Sequence, residues 1–142
     1  MASAVKYQQF VEDLGNKVHD LVGTNDTLKV MLSNAAPNVA THQVRADVTE
    51  LTTGGGYTSG GIDTQNDGSE SGGTLTVTGV DVVFTASGGT IGPFQYAILY
   101  NDTPSSPADP LIQYWNYGSA ITLQDGETFT VDFSGNTLLT IA

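Results

Sequence analysis

Residues 94–100 (FQYAILY) form an apolar run with a single strongly polar member, Gln95, and no alternation. Pro93 stands directly before it, and seven residues are too few for a buried helix. The run therefore predicts a central strand covered on both faces. Its neighbours read differently. Residues 74–78 (TLTVT) alternate strictly, and Val80, Val82 and Phe84 continue the pattern after Gly79. Upstream, Leu28, Val30 and Leu32 alternate with Thr27, Lys29, Met31 and Ser33. A period of two marks strands with one buried face.

Four more short strands are predicted at 111–117, 120–123, 128–133 and 138–141, and a weaker one at 43–51 (QVRADVTEL). The breaks between them carry turn chemistry. Residues 87–90 (SGGT), 117–119 (YGS) and 124–127 (QDGE) read as tight turns, the last as a hairpin because Asp-Gly tolerates positive φ. Residues 101–110 (NDTPSSPADP) hold three prolines, which cannot donate to a ladder and mark a surface connection. Residues 52–73, with GGGYTSGG and DTQNDGSESGG, read as a long flexible region. About eight strands at roughly 8–12-residue spacing predict an all-β fold, a β-sandwich or jelly roll.

The N-terminal stretch has another period. Phe10, Val11, Leu14, Val18 and Leu21 recur at steps of three and four, which predicts a short amphipathic helix over roughly residues 4–22. Gly15 and Asn16 interrupt it, since an internal Gly costs about 1 kcal/mol relative to Ala, so two short pieces or an extended arm are alternatives. The expected organisation is an N-terminal helix or arm over 1–26 and a β-domain over 27–142.

Charge divides the chain in a related way. All four cations, Lys6, Lys17, Lys29 and Arg45, lie in the first third, where Glu12, Asp13, Asp20 and Asp26 balance them. The rest carries the other acids and the whole net charge of −11. Such asymmetry concerns partners and orientation rather than fold. It disfavours nucleic acid, because the acidic part repels phosphate and four scattered cations make no basic patch. With no cysteine, disulfides and thiolate sites are excluded. No signal peptide is visible after Lys6, and no run approaches the ~18 apolar residues of a membrane span. The expectation is a soluble protein made in the cytoplasm, without a membrane partner.

Candidate chemistry is sparse. Asp63-Thr64-Gln65-Asn66-Asp67-Gly68 resembles the opening of a calcium loop, but its twelfth position is Thr74 instead of a bidentate Glu. A solvated polar loop is the better reading. His19 and His42 are the only histidines, with no nucleophile elbow or HExxH pattern beside them. Asp81, Asp102, Asp109, Asp125, Glu127 and Asp132 could in principle pair for glycoside hydrolysis, yet most sit at predicted turns, where Asp is favoured locally. Tyr96, Tyr100, Tyr114, Trp115 and Tyr117 could build a sugar-stacking face, although Tyr114 and Trp115 must point to opposite faces of a strand, which leaves one of them as core.

Several segments taken together resemble a family of small bacteriophage virion proteins. They are TLKVMLSNAAPN (27–38), ADVTEL (46–51), GGGYTSGG (54–61), DVVFTASGGTIGPFQYAILYND (81–102), LIQYWNYGSAITLQDGETFTVDF (111–133) and the ending LLTIA. The resemblance covers most of the chain. It implies a structural component of the particle with no enzymatic activity, no catalytic residues, no metal and no cofactor. The leading expectation is a capsid decoration (cement) protein bound to the major capsid protein or other virion proteins, and a homo-oligomer. Its docking end would be the neutral N-terminal third, with Lys6, Tyr7, Phe10, Lys17, Lys29 and Arg45. A neck or tail adaptor or fibre-tip component, and a carbohydrate-binding module, are the alternatives.

Overall fold

The computed structural model describes residues 3–142 and is all-β, with ten strands and one short helix among those residues. In chain order these are β1 (Ala4–Lys6), α1 (Gln9–Gly15), β2 (Leu28–Ser33), β3 (Ile62–Asp63), β4 (Asp67–Ser71), β5 (Thr74–Thr78), β6 (Val82–Thr85), β7 (Ile91–Asn101), β8 (Leu111–Leu123), β9 (Thr128–Val131) and β10 (Thr137–Ile141). Three antiparallel sheets result. The largest has the order β1-β8-β7-β2-β3, the second β10-β5-β4, and β6 pairs with β9 in a two-stranded ribbon.

The predicted central strand is central. β7 lies between β2 and β8, and Ala97, Ile98, Leu99, Tyr100 and Asn101 are all buried. Alternation sends its side chains into two separate cores. On one face Ala97 and Leu99 join Leu28, Val30 and Leu32 of β2 and Trp115 of β8. The two smaller sheets close over this face with Val77, Val82, Phe84, Val131 and Leu138, giving a sandwich-like arrangement. On the other face Ile98 and Tyr100 meet Met31 and Leu111, and the cover there is Tyr7 from the N-terminal segment and Val48 from the 34–51 loop.

A bulge keeps β8 in step with both cores. Leu99 pairs with Gln113 and Tyr100 with Leu111, so Ile112 is the extra residue. Beyond it, Trp115 points into the first core and Tyr114 to the other face, the split expected from their adjacency. Gln113 also turns inward, where its Nε2 donates to the Leu138 carbonyl at 2.8 Å and ties the large sheet to β10.

Several expected elements take another form. The 4–22 helix shrinks to Gln9–Gly15, because residues 4–6 pair with β8 instead and Gly15-Asn16 ends the helix. Val18 and Leu21 follow in irregular chain, with Val18 N–H donating to Asp13 O. Phe10 and Leu21 belong to the same core cluster as the strands, so no core boundary falls at residue 26. Residues 43–51 do not form a strand; a 3-10 turn at Arg45–Asp47 and single bridges at Val44 and Glu50 replace it. Tyr117-Gly118-Ser119 does not reverse the chain. Phe94 pairs with Ile121 and Tyr96 with Asn116, so residues 117–120 bulge out of one continuous β8. The Gln124–Glu127 turn forms, with Glu127 N–H donating to Gln124 O, but it is no hairpin: β9 leaves to pair with β6.

Residues 52–73 are the largest departure. They contain β3 and β4, and Tyr57 is buried, stacked 5.8 Å from Phe84. Gly61, at φ +77, is where this segment comes against the edge of β2 just before β3 pairs with it, and a Cβ there would run into the Val30 carbonyl oxygen. Gly72 and Gly73 form the two-residue turn between β4 and β5, and a Cβ at Gly72 (φ +60) would meet nothing within 4 Å. The two sites separate conformational strain from collision. Gly72→Ala is expected to cost about 1–2 kcal/mol, from left-handed strain alone. Gly61→Ala should cost more than about 3 kcal/mol, because backbone must also move. Urea unfolding of both variants measures the difference, and equal costs would contradict the close approach of Gly61 to Val30.

Candidate functional site

The N-terminal segment is bound to the domain at several points. β1 pairs with Gln113–Trp115 of β8. Tyr7 N–H donates to Ile112 O, and the ring drops into the second core against Tyr114, centroids 5.7 Å apart. In α1, Phe10, Asp13 and Leu14 turn inward, while Val11, Glu12 and Gly15 face out. Lys17 takes a left-handed conformation, φ 60°, that turns the chain back so His19 packs edge-on against Phe10 at 5.0 Å. Leu21 enters the core, and Gly23 and Gly68 then exchange two backbone hydrogen bonds.

A polar junction closes the segment. Asn101 Nδ2 lies 2.6 Å from Asp26 Oδ2 and 3.0 Å from His19 Nδ1, while Asn101 Oδ1 accepts from Thr103 N–H. An amide nitrogen only donates, so His19 Nδ1 accepts and its proton sits on Nε2. Burial pushes the His19 pKa below its ordinary 6.5, against the opposing pull of Asp13 and Asp26.

The structure divides the six expected docking residues. Tyr7 and Phe10 are buried and cannot contact a partner in this conformation. Lys29 pairs with Asp102 at 2.9 Å. Arg45 pairs with Glu50 at 2.8 Å, and lies 3.8 Å from Asp109 and 5.6 Å from the Tyr100 ring centre. Lys6 and Lys17 are exposed. What sequence reasoning missed is their company: of the large apolar side chains exposed among the described residues, Val5, Val11 and Val22 lie in the same segment. The signal was available for Val11, because burying Phe10 and Leu14 on a helix leaves position 11 facing out.

Glu50 is the other organising group, and nothing in its sequence context marked it. Its Oε1 accepts from Arg45 Nε at 3.0 Å, Arg45 Nη2 at 2.8 Å and Ser59 Oγ; its Oε2 accepts from Tyr57 OH at 2.6 Å and the Gly60 N–H. Tyr57 OH also receives the Leu32 N–H of β2, and Tyr100 OH donates to Gly60 O at 2.6 Å. This is a staple between the 45–61 loop and the sheet.

Most of the remaining candidate chemistry is engaged in local structure, while Asp132 lies exposed. Among the expected carboxylates, Asp81 accepts from Phe133 N–H, Asp125 from Gly88 N–H and Glu127 from Gln124 N–H, while Asp102 and Asp109 face the two paired cations. In the calcium-like stretch, Asn66 is buried and holds Leu28 N–H and Asp26 O, while Asp63 accepts from Gln65 N–H. Among the described residues no group of three or more His, Cys, Asp or Glu is placed to hold a metal ion. His42 Nδ1 accepts from Asn38 N–H within its own loop. Of the aromatic set, Trp115 and Tyr100 are core, Tyr117 packs on Phe129, and the half-buried Tyr96 and Tyr114 meet at 72°, so they do not form a flat platform. The chain matches no protein-family model, no curated protein and no solved structure.

Two outcomes follow. Glu50→Gln places an amide N–H₂ among groups that donate and leaves Arg45 short of a counter-charge, so it should lower unfolding free energy by about 2–3 kcal/mol. It should also speed hydrogen exchange at Gly60 and Leu51; unchanged exchange would show that the loop is held by something else. Stability should also fall at both ends of the pH scale. Burial, chiefly, raises the Tyr7, Tyr57 and Tyr100 phenols above 10.0, and the Glu50 carboxylate adds to this at Tyr57. The unfolded chain therefore loses protons first above pH ~10, which favours unfolding there. His19, lowered in the fold, makes the unfolded chain bind more protons as pH drops below about 6.5, which again favours unfolding. Urea midpoints from pH 5 to 11 measure both limbs, and His19→Gln should flatten only the acid one.

Proposed function

We propose that this protein is a non-enzymatic structural component of a bacteriophage virion, bound to the outside of the shell as a decoration protein and docked through its N-terminal segment. The observation that carries the docking end is the grouping of exposed Val5, Lys6, Val11, Lys17 and Val22 in one stretch; Val80 and Val83 are exposed as well, but no Lys or Arg follows residue 45 to accompany them. Apolar side chains flanked by lysines suit an acidic, partly apolar partner surface such as a capsid subunit offers. The virion assignment itself rests on the resemblance of the segments between residues 27 and 142 to small virion proteins. The organisation of polar groups fits a stable part better than a reactive one, since the carboxylates that pair are spent on turns and staples.

Many copies on a lattice would let each contact be weak, so affinity is read at the particle. The test uses empty capsids of the phage that encodes the chain. Deleting residues 1–25 would remove Phe10 and Leu21 from the core, so surface changes are the cleaner probe. Lys6→Glu/Lys17→Glu and Val11→Glu should each reduce co-sedimentation by at least about tenfold with no loss of thermal stability. Undiminished binding would sink the docking face. Counting copies per purified particle separates the shell from the tail: hundreds support decoration, whereas a handful would move the protein to the neck or tail.

A further inference from the structure

We propose that the contact between His19 and Asn101 is a proton-operated latch on residues 16–20, closed by a neutral imidazole and opened locally when that ring is protonated. The hydrogen bonds admit one charge state only. Asn101 Nδ2 donates to Asp26 Oδ2 at 2.6 Å, and Asn101 Oδ1 accepts from Thr103 N–H at 3.1 Å. A carboxylate accepts and a backbone N–H donates, so the Asn101 amide is fixed from both sides and cannot flip. His19 Nδ1, 3.0 Å from the same Nδ2, is therefore a bare acceptor. A proton added there would set N–H against N–H and abolish the bond.

The surroundings leave the closed state poised. Among the described residues His19 Nε2 is buried without an acceptor and Asp13 Oδ2 is buried without a donor. A junction that leaves both unmet is easier to leave than a fully bonded one. The carboxylates acting on the ring are Asp13 from α1 and Asp26 from the chain ahead of β2. Asp20 is engaged by Asn25 Nδ2, Lys17 lines the adjacent groove, and Asp102, beyond Asn101, pairs with Lys29. Leu75 of β5 and Ile141 of β10, on the same groove, bring no charge. Asp13 and Asp26 favour the imidazolium, but burial outweighs them. Opening hydrates the ring and returns it to its ordinary 6.5, so the open fraction grows as pH falls below that value. Flanking anchors keep the opening local. β1 stays paired with β8, and Phe10 and Leu21 are buried on either side of residues 16–20. Inside that stretch the ties are few: Val18 N–H to Asp13 O, Asp20 N–H to Asp26 Oδ2, and the His19 ring itself. The latch does not depend on what the N-terminal segment docks to.

Two NMR measurements on the ¹⁵N-labelled full-length chain test this without any substitution. At pH ~7.5 the ring shifts of His19 should show Nε2 protonated and Nδ1 bare; the opposite tautomer overturns the latch. Amide hydrogen exchange, corrected for its intrinsic pH dependence, is then followed down to pH ~5. Protection at Val18 and Asp20 should fall severalfold below pH ~6.5, by at most about tenfold per pH unit for one proton, while Ile98 and Leu99 of β7 keep theirs. Unchanged protection at Val18 and Asp20 overturns the proposal. So does an equal loss in β7, which would make the event global unfolding, or a loss confined to residues 38–42, which would assign it to His42. His19→Gln keeps an acceptor for Asn101, its Oε1, and removes the titrating group, so its protection should stay flat with pH. An acid loss that persists in that variant would belong to the carboxylates and would end the case for a histidine latch.

Discussion

A strand that is apolar on both faces needs two covers, and most of this architecture follows from supplying them to β7. The first cover is conventional: two small sheets lay Val77, Phe84 and Val131 over Ala97 and Leu99. The second is not a sheet at all. It is made from Tyr7 and the 34–51 loop, set over Ile98 and Tyr100. Irregular chain packed on a sheet must satisfy its own backbone groups while it covers apolar surface, and it has no ladder to do so. Anchors made from side chains have to take that role.

Glu50 is the anchor on this side. One carboxylate gathers the Arg45 guanidinium, two hydroxyls and a backbone N–H, and through Tyr57 it reaches β2. Its side chain is about 10% exposed, so these charge-assisted bonds form where water competes weakly. At the opposite end of the sheet Asp26 and Asn101 hold the N-terminal segment in a similar manner. Both devices use charge to fix irregular chain, and both consume groups that a reading for function would otherwise have put on the surface.

That consumption explains what was legible in the sequence. Strands β2, β5, β6, β9 and β10 were readable because hydrophobic alternation is a local pattern, and β7 was readable because losing alternation is equally local. The staple was not. Nothing near Glu50 announces that Tyr57 and Gly60 will return to it, since that depends on how Gly55 and Gly56 run against the backbone of residues 85–90. A glycine-rich region reads as flexible; here the missing Cβ at Gly61 instead lets the chain close on the Val30 carbonyl at the edge of β2. A two-residue Gly-Gly turn between Ser71 and Thr74 was a recognisable hairpin signal, hidden inside that same low-complexity stretch. The docking residues were half legible. The helical period correctly buried Phe10, yet the same period forbids Phe10 from contacting a partner.

Charge, treated as a map of orientation, becomes narrower for the same reason. Two of the four cations neutralise neighbours within the domain, so their place in the first third says nothing about a partner. Only Lys6 and Lys17 project from the described surface, and both lie on the segment that completes the second cover of β7. Docking through that segment would therefore load the elements that close the core. A partner that pulls on β1 pulls on Tyr7, and through Tyr7 on the cover over Ile98 and Tyr100. Binding that adds contacts to β1 and α1 stabilises the folded state in proportion to its affinity. The exposed Lys6 and Val11 would make such a contact, and the buried Tyr7 and Phe10 between them would carry its effect to the two cores.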